Sequence, residues 1–267
     1  WFENVARYTG MPIEQFTYSL LTRSQRISHE NLRLRDAAWL EGYEAWLAAA
    51  RPAAGPPQGG AAPSGGSATG EAVKRGGSSL AIPPMLTPFT LKDLTLKNRI
   101  VVSPMATYSA VEGVPQDFHL VHLGARALGG AALVMVEMTS PTPEGRITPA
   151  CPGLWNDAQQ RAFARIVNFV HGSSTAKIGL QLGHSGPKGS TRVGWEGTDE
   201  PLETGNWPLL AASPIAYGAQ NQAPAAMTRA DMDRVTAAFV DSARRAVACG
   251  FDWLELHCAH GYLLASF

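Results

Sequence analysis

The chain is 267 residues long, which suffices for one large or two small domains, and its hydrophobic content of 45% supports a packed core. Basic and acidic side chains number 22 each, and the resulting net charge of +0 argues against nucleic acid or an anionic membrane as a partner. The 3 cysteines lack metal-ligand spacing, and neither a signal peptide nor a membrane-spanning apolar run is recognisable, so we expect a cytoplasmic protein.

The first 51 residues are predicted to be helical, because apolar residues such as Ile13, Phe16 and Leu20 recur at helical spacing. This segment is too short to bury its own core and begins with Trp1 rather than methionine, so we expect the tail of a larger domain. From 52 to 79 the sequence is dominated by Gly, Ala, Pro and Ser. Such a stretch buries too little apolar area to offset its chain entropy and is predicted to be a flexible linker.

From residue 80 onward, strand-like and helix-like stretches alternate. The predicted strands cover 98–105, 131–139, 177–184 and a fourth stretch that begins at 251. The predicted helices run from about 116 to 128, from 156 to 172 and from 228 to 250. The second and third helices each begin at a capping pair and end at a glycine; the pairs are Asn156 with Gln159 and Thr228 with Asp231.

This alternation favours a parallel sheet with covering helices, either an open doubly wound sheet or a (β/α)8 barrel. The turn at 103–106 lacks the glycines of a nucleotide-binding doubly wound fold. Polar residues on the inward side of later strands, Gln181, Glu255 and His257, favour a barrel lined toward a ligand. Because a complete barrel needs about 250 residues, residues 80–267 are predicted to be its first half, with four β/α units.

The fourth strand is expected to be buried on both faces, with Leu254 and Leu256 on one side and Glu255 on the other. A parallel barrel presents its site at the carboxyl ends of its strands. The candidate site residues lie at or just past these ends: Ser103, Pro104, Met105, Tyr108, Gln181, His257, His260 and Tyr262. Neutral imidazoles and an amide can hydrogen-bond carbonyl oxygens or a polar heterocycle, and a phenol can deliver a proton. No Ser-His-Asp order indicates acyl transfer.

Two His-x-x-His pairs invite a metal-binding interpretation. A metal site at His257 and His260 is disfavoured, because the pair lies at a strand end and the sequence offers no third metal ligand near it. His119 and His122 are predicted to lie on a helix in a structural role. The sequence therefore predicts no metal site.

The motifs and their order resemble the Old Yellow Enzyme family of FMN-dependent barrels. The resemblance covers nearly all of 80–267 and is carried by LTPF at 86–89, LKNRIVVSPM at 96–105, VEM at 136–138, GRI at 145–147, QLGHSG at 181–186 and HCAHGYL at 257–263. It implies a barrel that passes hydride from NAD(P)H through FMN to an activated C=C bond. Contacts to FMN are implied for Ser103, Pro104, Met105, Ala106, Met138 and, at the pyrimidine edge, Gln181.

For the substrate, the resemblance implies that His257 and His260 hold the carbonyl oxygen, that Tyr262 protonates the α-carbon and that Tyr108 shapes the pocket. Ala106 stands where close relatives often carry a cysteine that tunes the flavin potential, which leaves the turnover of ordinary enones open. The family's flavin-phosphate residues would lie beyond residue 267, so we expect this chain alone to hold FMN weakly or not at all.

Near the N-terminus, the stretches 15–24 and 31–36 look like the end of a FAD-dependent aryl-CoA monooxygenase. In the anthraniloyl-CoA monooxygenase and salicylyl-CoA 5-hydroxylase group such a module precedes an Old Yellow Enzyme-like barrel, which implies FAD in an upstream domain and an aryl-CoA substrate. In the long loop after 186, Lys188 and Arg192 could meet CoA phosphates, although a solvated loop is favoured. Trp195 and Trp207 would either wall the pocket or pack the lid.

The favoured function is therefore the FMN-dependent reductase module of a two-flavin aryl-CoA enzyme. A stand-alone-type ene-reductase for small enones and a non-catalytic flavin-binding or docking half remain as alternatives. The expected partners are a small-molecule substrate and further copies of the chain in a homo-oligomer, with neither nucleic acid nor a membrane involved.

Overall fold

The computed structural model describes residues 84–267 together with two helical residues, Ala38 and Gly42. The predicted helical tail, 1–51, and the predicted linker, 52–79, otherwise lie outside the described residues. Two compact units divide the chain, Trp1–Thr87 and Pro88–Phe267, and the first contains the 3-10 turn Pro84–Leu86. Across the described part of the chain, no helix is long and apolar enough to cross a membrane.

The second unit begins with a hairpin and continues as alternating strands and helices. Its strands are β1 Phe89–Leu91, β2 Leu94–Leu96, β3 Val101–Val102, β4 Leu133–Thr139, β5 Lys177–Leu182, β6 Leu210–Ala211, β7 Ala225–Ala226 and β8 Trp253–Leu256. Its helices are α1 Asp117–Leu128, α2 Asp157–Ser173, α3 Gly194–Gly197 and α4 Arg229–Cys249. Further 3-10 turns lie at Pro143–Gly145, Gly186–Lys188 and Leu263–Ser266.

Strands β3, β4, β5 and β8 form one parallel sheet in that order. Val101 lies opposite Leu133, Leu133 opposite Lys177, and Gly179 opposite Trp253. Because all four strands run the same way, their carboxyl ends reach one edge, where the loops with the predicted site residues begin. The prediction of an α/β fold with a parallel sheet is confirmed.

The helices α1, α2 and α4 cover one face of this sheet. Val134 and Val136 of β4, and Ile178 and Leu180 of β5, are at most 1% exposed and pack in one cluster with Phe163 of α2. Burying one such side chain contributes roughly 1.5–3 kcal/mol. This apolar layer therefore fixes the strands whose ends carry the site.

The starts of α2 and α4 follow the predicted caps, whereas α2 runs through Gly172, its predicted end, to Ser173. Asn156 accepts a hydrogen bond from the backbone N–H of Gln159 (3.0 Å), and the side chain of Gln159 accepts from the backbone N–H of Asn156 (3.2 Å). Thr228 and Asp231 form the same reciprocal pair before α4. Gly250 ends α4 with φ at 88°, a left-handed conformation that glycine adopts without strain.

Three predictions about the strands were wrong. The strand β8 is not buried on both faces, because no described helix covers Leu254 and Leu256, which are 39% and 58% exposed. After β8 the described residues form a single 3-10 turn, so they contain three complete β/α units and a fourth strand instead of four units. The first strand of the sheet is confined to two residues, shorter than the predicted 98–105. Closure into a full barrel stays a prediction.

Asp252 ties the opposite, amino-terminal edge of the sheet together. Its carboxylate accepts hydrogen bonds from the backbone N–H of Ile178 (2.9 Å), from His171 (2.7 Å) and from Lys177 (3.1 Å). Burial alone would raise the pKa of Asp252, but these three donors outweigh it and hold the pKa below its usual value. The ionised carboxylate therefore stabilises the folded chain.

We expect Asp252→Asn to lower the free energy of unfolding at pH 7 by about 1.5–3 kcal/mol, because a charged acceptor is lost from three hydrogen bonds. A depressed folded-state pKa gives stability that is present above the unfolded pKa of about 3.9 and lost as the pH falls through the lower folded value. Urea unfolding at pH 7 and below pH 4 measures this, with exposed Asp241→Asn as the control. A difference in the free energy of unfolding between wild type and Asp252→Asn that is the same at both pH values would contradict this expectation.

Candidate functional site

The turn after β8 holds two histidines in contact. Nδ1 of His257 accepts a hydrogen bond from the backbone N–H of Ala259 (3.2 Å), so its Nε2 carries the proton and donates to Nδ1 of His260 (3.0 Å). The pair thus leaves one N–H free for a substrate, on Nε2 of His260. The prediction that both histidines hold the carbonyl oxygen requires a donor from each ring. Among the described residues, no group of three or more His, Cys, Asp or Glu side chains could hold a metal ion.

Tyr262 lies directly against this pair. The centroid of its ring is 4.8 Å from that of His257 and 6.0 Å from that of His260. Burial raises the pKa of Tyr262, and Tyr108 and Cys151 raise it further. Burial also lowers the pKa of His257, and the neighbouring His260 adds to that effect. At neutral pH the turn therefore offers a neutral imidazole at His257 and a protonated phenol.

Tyr108 reaches the same place from the turn that follows β3. Together with Tyr262 it packs against a buried cluster of Met138, Ile147 and Cys151. Burial raises the pKa of Tyr108, and Cys151 adds to the shift, so this phenol is also protonated at neutral pH. Two turns that belong to the outer strands of the four-stranded sheet thus share one site, with Met138 of β4 between them.

A buried carboxylate holds the turn on which Tyr108 lies. Glu137 of β4 is 4% exposed and accepts hydrogen bonds from the backbone N–H (2.9 Å) and the hydroxyl (2.5 Å) of Thr107. Nε2 of His119 in α1 lies 3.2 Å from the same carboxylate, and Nδ1 of His119 accepts from the backbone N–H of Gln116. The contact agrees with the structural role predicted for His119, whereas Glu137 was matched only as part of a motif and given no role.

The turn after β3, which carries the residues predicted to contact flavin, is open to solvent. Ser103, Met105 and Ala106 are exposed, and no hydrogen bond joins the backbone N–H of Met105 or Ala106 to another described residue. On the inner face of the sheet, Ser103 and Pro104 line a hollow of about 420 Å³ together with Met135, Trp253 and Glu255. The turn therefore offers an apolar surface and unused backbone donors side by side.

Gln181 lies on the same inner face, in β5. Its amide N–H donates to Oε1 of Glu255 (2.5 Å), while no described residue donates to its own amide oxygen. Flavin has a flat ring with apolar faces and a polar edge that both donates and accepts. The exposed turn, its backbone donors and the amide oxygen of Gln181 match that chemistry, so the residues present fit a flavin ring.

The segment between β5 and α4 lies beside Tyr262. Lys188 was predicted to belong to a solvated loop, but its side chain is 12% exposed and its ammonium group lies over the rings of Tyr217 and Tyr262. That prediction was wrong, because the 3-10 turn at Gly186–Lys188 directs the side chain toward the site. Arg192 lies farther along and pairs with Glu203 at 2.7 Å.

The two tryptophans of this segment take different roles. Trp207 holds the segment against the loop that follows β4. Its ring lies 5.2 Å from the guanidinium carbon of Arg146, and its Nε1 donates to the backbone oxygen of Glu144 (3.0 Å). Trp195 is 68% exposed and stands edge-on to Tyr108, with centroids 5.7 Å apart. Trp195 therefore lies beside Tyr108, and Trp207 packs its segment against Glu144 and Arg146.

The carboxyl edge of the parallel sheet thus gathers hydrogen-bond donors, a protonated phenol and a surface suited to a flat heterocycle. This combination is typical of a flavin-dependent oxidoreductase. Residues 84–267 match the NADH:flavin oxidoreductase / NADH oxidase family. The chain belongs to that family.

Several curated proteins are similar to this chain. They include an NADH:flavin oxidoreductase of Gibberella zeae, 42% identical over 188 residues, and the NADPH dehydrogenases of Geobacillus thermodenitrificans, 40% over 187, and Bacillus subtilis, 38% over 185. Each alignment covers 68% of this chain but only 45%, 50% and 50% of the respective relative. The chain thus spans about half the length of the curated relatives it matches.

The chain is also similar in fold to several solved structures. Morphinone reductase is 26% identical with a TM-score of 0.59, over 67% of this chain and 49% of that one. An Old Yellow Enzyme from Pichia sp. AKU4542 is also 26% identical with a TM-score of 0.59, over 68% of this chain and 47% of that one. A morphinone reductase in complex with tetrahydroNAD is 27% identical with a TM-score of 0.58, over 67% of this chain and 50% of that one.

Proposed function

We propose that this chain is part of an FMN-dependent oxidoreductase that transfers a hydride from NAD(P)H to an activated C=C bond. The observation that carries the proposal is the meeting of His257, His260, Tyr262 and Tyr108 at one edge of the sheet. Relatives named NADPH dehydrogenase and NADH:flavin oxidoreductase support the nicotinamide donor. When bound, FMN would supply the hydride that reaches the β-carbon of the substrate.

The residues proposed to hold FMN are Ser103, Pro104, Met105 and Ala106 along the ring and Gln181 at its polar edge. Their exposure and the unused amide oxygen of Gln181 support this assignment. Met138 is proposed to contribute only a small contact, because its side chain is 6% exposed and packs behind the two tyrosines.

On the substrate side, Nε2 of His260 is proposed to donate a hydrogen bond to the carbonyl oxygen, and His257 to hold that imidazole in place. A donor at the carbonyl oxygen draws electrons from the C=C bond and stabilises the negative charge that develops on the oxygen. Tyr262 then gives its proton to the α-carbon, so that its O–H bond breaks as a C–H bond forms. Tyr108, with Trp195 at its edge, would close the side of the pocket.

The identity of the substrate is a finer proposal. The resemblance of 15–24 and 31–36 to an aryl-CoA monooxygenase supports a CoA-activated aromatic acid and a FAD-containing domain upstream. Lys188 and Arg192 are both engaged within their own segment, so CoA phosphates would have to be held by other residues. We expect calorimetry to show tighter binding of benzoyl-CoA than of benzoate, and equal affinities would favour a small enone as the substrate. A cytoplasmic homo-oligomer is proposed as the assembly, which sedimentation would test.

The test of the activity uses purified protein titrated with FMN and mixed anaerobically with NADPH. Bleaching of the flavin absorption, followed by its return when 2-cyclohexenone or an aryl-CoA is added, is the expected result. Protein that binds FMN but does not bring the absorption back with either substrate would favour the non-catalytic alternative. Protein that acquires no flavin absorption would agree with the weak binding expected of this chain alone.

A further inference from the structure

Lys188 occupies an unusual position for a lysine. It ends the 3-10 turn that follows β5, and its side chain is 12% exposed. Lysine is seldom buried to this extent without a close partner. Its ammonium nitrogen lies 4.1 Å from the ring centroid of Tyr217 and 5.6 Å from that of Tyr262. Aromatic faces attract cations at these distances.

The polar contacts of Lys188 do not neutralise its charge. The closest carboxylate oxygen paired with it, Oδ2 of Asp199, lies 3.9 Å away on a residue that is itself more than one-third exposed. Its hydrogen bond to the backbone oxygen of His260 is 3.4 Å long. The chain thus places a largely shielded cation beside the turn that carries Tyr262, with only a loose counter-ion.

The other neighbours of Tyr262 oppose ionisation of its phenol. Burial is the largest effect, and the titratable groups Tyr108, Cys151, Asp199 and Tyr217 add to it. His257 and His260 also face its ring. A phenol that gives up a proton in such a place leaves a poorly solvated anion. The described cation that lies over the Tyr262 ring is Lys188.

We propose that Lys188 is a positioning residue for proton transfer from Tyr262, because its ammonium group holds the Tyr262 ring and stabilises the phenolate that remains. The inference rests on the proposed role of Tyr262 as proton donor. In the step, the O–H bond of Tyr262 breaks and a C–H bond forms at the α-carbon, using the electron pair of the substrate enolate. The pair from the broken O–H bond stays on the phenolate oxygen until water returns a proton.

The test measures the ionisation of Tyr262 directly. Tyrosines are replaced biosynthetically by trifluorotyrosine, whose phenol ionises at lower pH than that of tyrosine, and fluorine NMR follows each ring during a pH titration. The resonance missing from Tyr262→Phe assigns Tyr262. We expect Lys188→Met to raise the pH midpoint of Tyr262 by about one unit or more, the size of shift that a nearby opposite charge produces, because the ammonium nitrogen lies 5.6 Å from the centre of the ring that carries the phenolate.

Two variants control for charge and for location. Lys188→Arg keeps a cation and should shift the midpoint by less than half as much. Arg192→Met removes a cation of the same segment that is paired with Glu203, and should leave the midpoint unchanged. If Lys188→Met does not fold by circular dichroism, Lys188→Gln replaces it. The proposal would be overturned if the pH midpoint of Tyr262 in the uncharged variant stays within about 0.2 units of the wild-type value. Loss of a cation is expected to shift it by about one unit.

Turnover separates this proposal from the proposed function. With FMN-loaded protein, Lys188→Met should slow substrate reduction by up to about tenfold for each unit of midpoint shift and leave the reduction of FMN by NAD(P)H unchanged. If Tyr262→Phe itself does not slow substrate reduction, the donor role of Tyr262 is wrong, whatever Lys188 does to its ionisation. If Tyr262→Phe slows the step and Lys188→Met does not, the role of Lys188 is wrong.

Discussion

Replacing Tyr262 with phenylalanine is expected to slow substrate reduction by roughly 10²–10⁴-fold, the range of a positioned general acid. The half-buried phenol is protonated at neutral pH and lies against the imidazoles that are proposed to hold the substrate. Reduction of FMN by NAD(P)H should keep its rate, because that step needs no proton from Tyr262. Anaerobic stopped-flow measurement of the two half-reactions, with FMN-loaded protein, checks both expectations.

Two results would count against this role for Tyr262. One is an equal loss of both half-reactions in Tyr262→Phe, which would indicate a general disturbance of the flavin site. The other is unchanged substrate reduction, which would place the proton source elsewhere. Deuterium at the α-carbon of product formed in D₂O is expected with wild type, since the proton of Tyr262 exchanges with solvent.

The second large effect is expected for His257→Ala. Nε2 of His260 is the donor proposed to stabilise the developing oxyanion, and losing one such donor costs about 10²–10³-fold in rate. His257 fixes the tautomer and orientation of His260 through the 3.0 Å contact, so His257→Ala should misplace that donor and approach this loss. We expect substrate reduction to fall far more than reduction of FMN by NAD(P)H.

His171→Ala is the matched control for this variant. His171 lies at the amino-terminal edge of the sheet, where it bonds to Asp252 (2.7 Å), so its replacement should lower stability and leave both half-reactions intact. If His257→Ala slows the two half-reactions equally, the histidine pair does not act on the substrate's carbonyl group.

Much of the sheet and its helices could be predicted from the sequence, because the signals are local. The capping pairs at Asn156 and Thr228, and the glycine at Gly250, mark helix ends through contacts within a few residues. The alternation in β5 between Leu180 and Gln181 assigns one face to the helices and one to the interior. These patterns fix the order of the elements without any knowledge of distant contacts.

Features that depend on distant contacts were missed or mistaken. The hairpin of β1 and β2 has strands of 3 residues each, too short for a periodic signal. Glu137 is bound by Thr107 and His119, which are 30 and 18 positions away in the sequence, so its burial could not be read locally. Lys188 sits among glycine, proline and serine residues typical of a solvated loop, and only the fold brings it to Tyr262.

The site residues divide in a similar way. Their types and order were enough for the resemblance to the family to which the chain belongs. The use of His257 as a donor to His260, and the partnership of Gln181 with Glu255, became visible only as distances. The predicted roles of the site residues in flavin and substrate binding remain predictions.

The most direct test of the central claim follows the hydride and the proton with isotopes. Protein saturated with added FMN turns over anaerobically with stereospecifically deuterated NADPH and an α,β-unsaturated substrate present together from the start, so that the label has little time to exchange with solvent. The product is analysed by mass spectrometry and NMR. We predict deuterium at the β-carbon in H₂O and, with unlabelled NADPH in D₂O, at the α-carbon. A flavin that stays reduced until oxygen is admitted, with no saturated product, would contradict the proposed function.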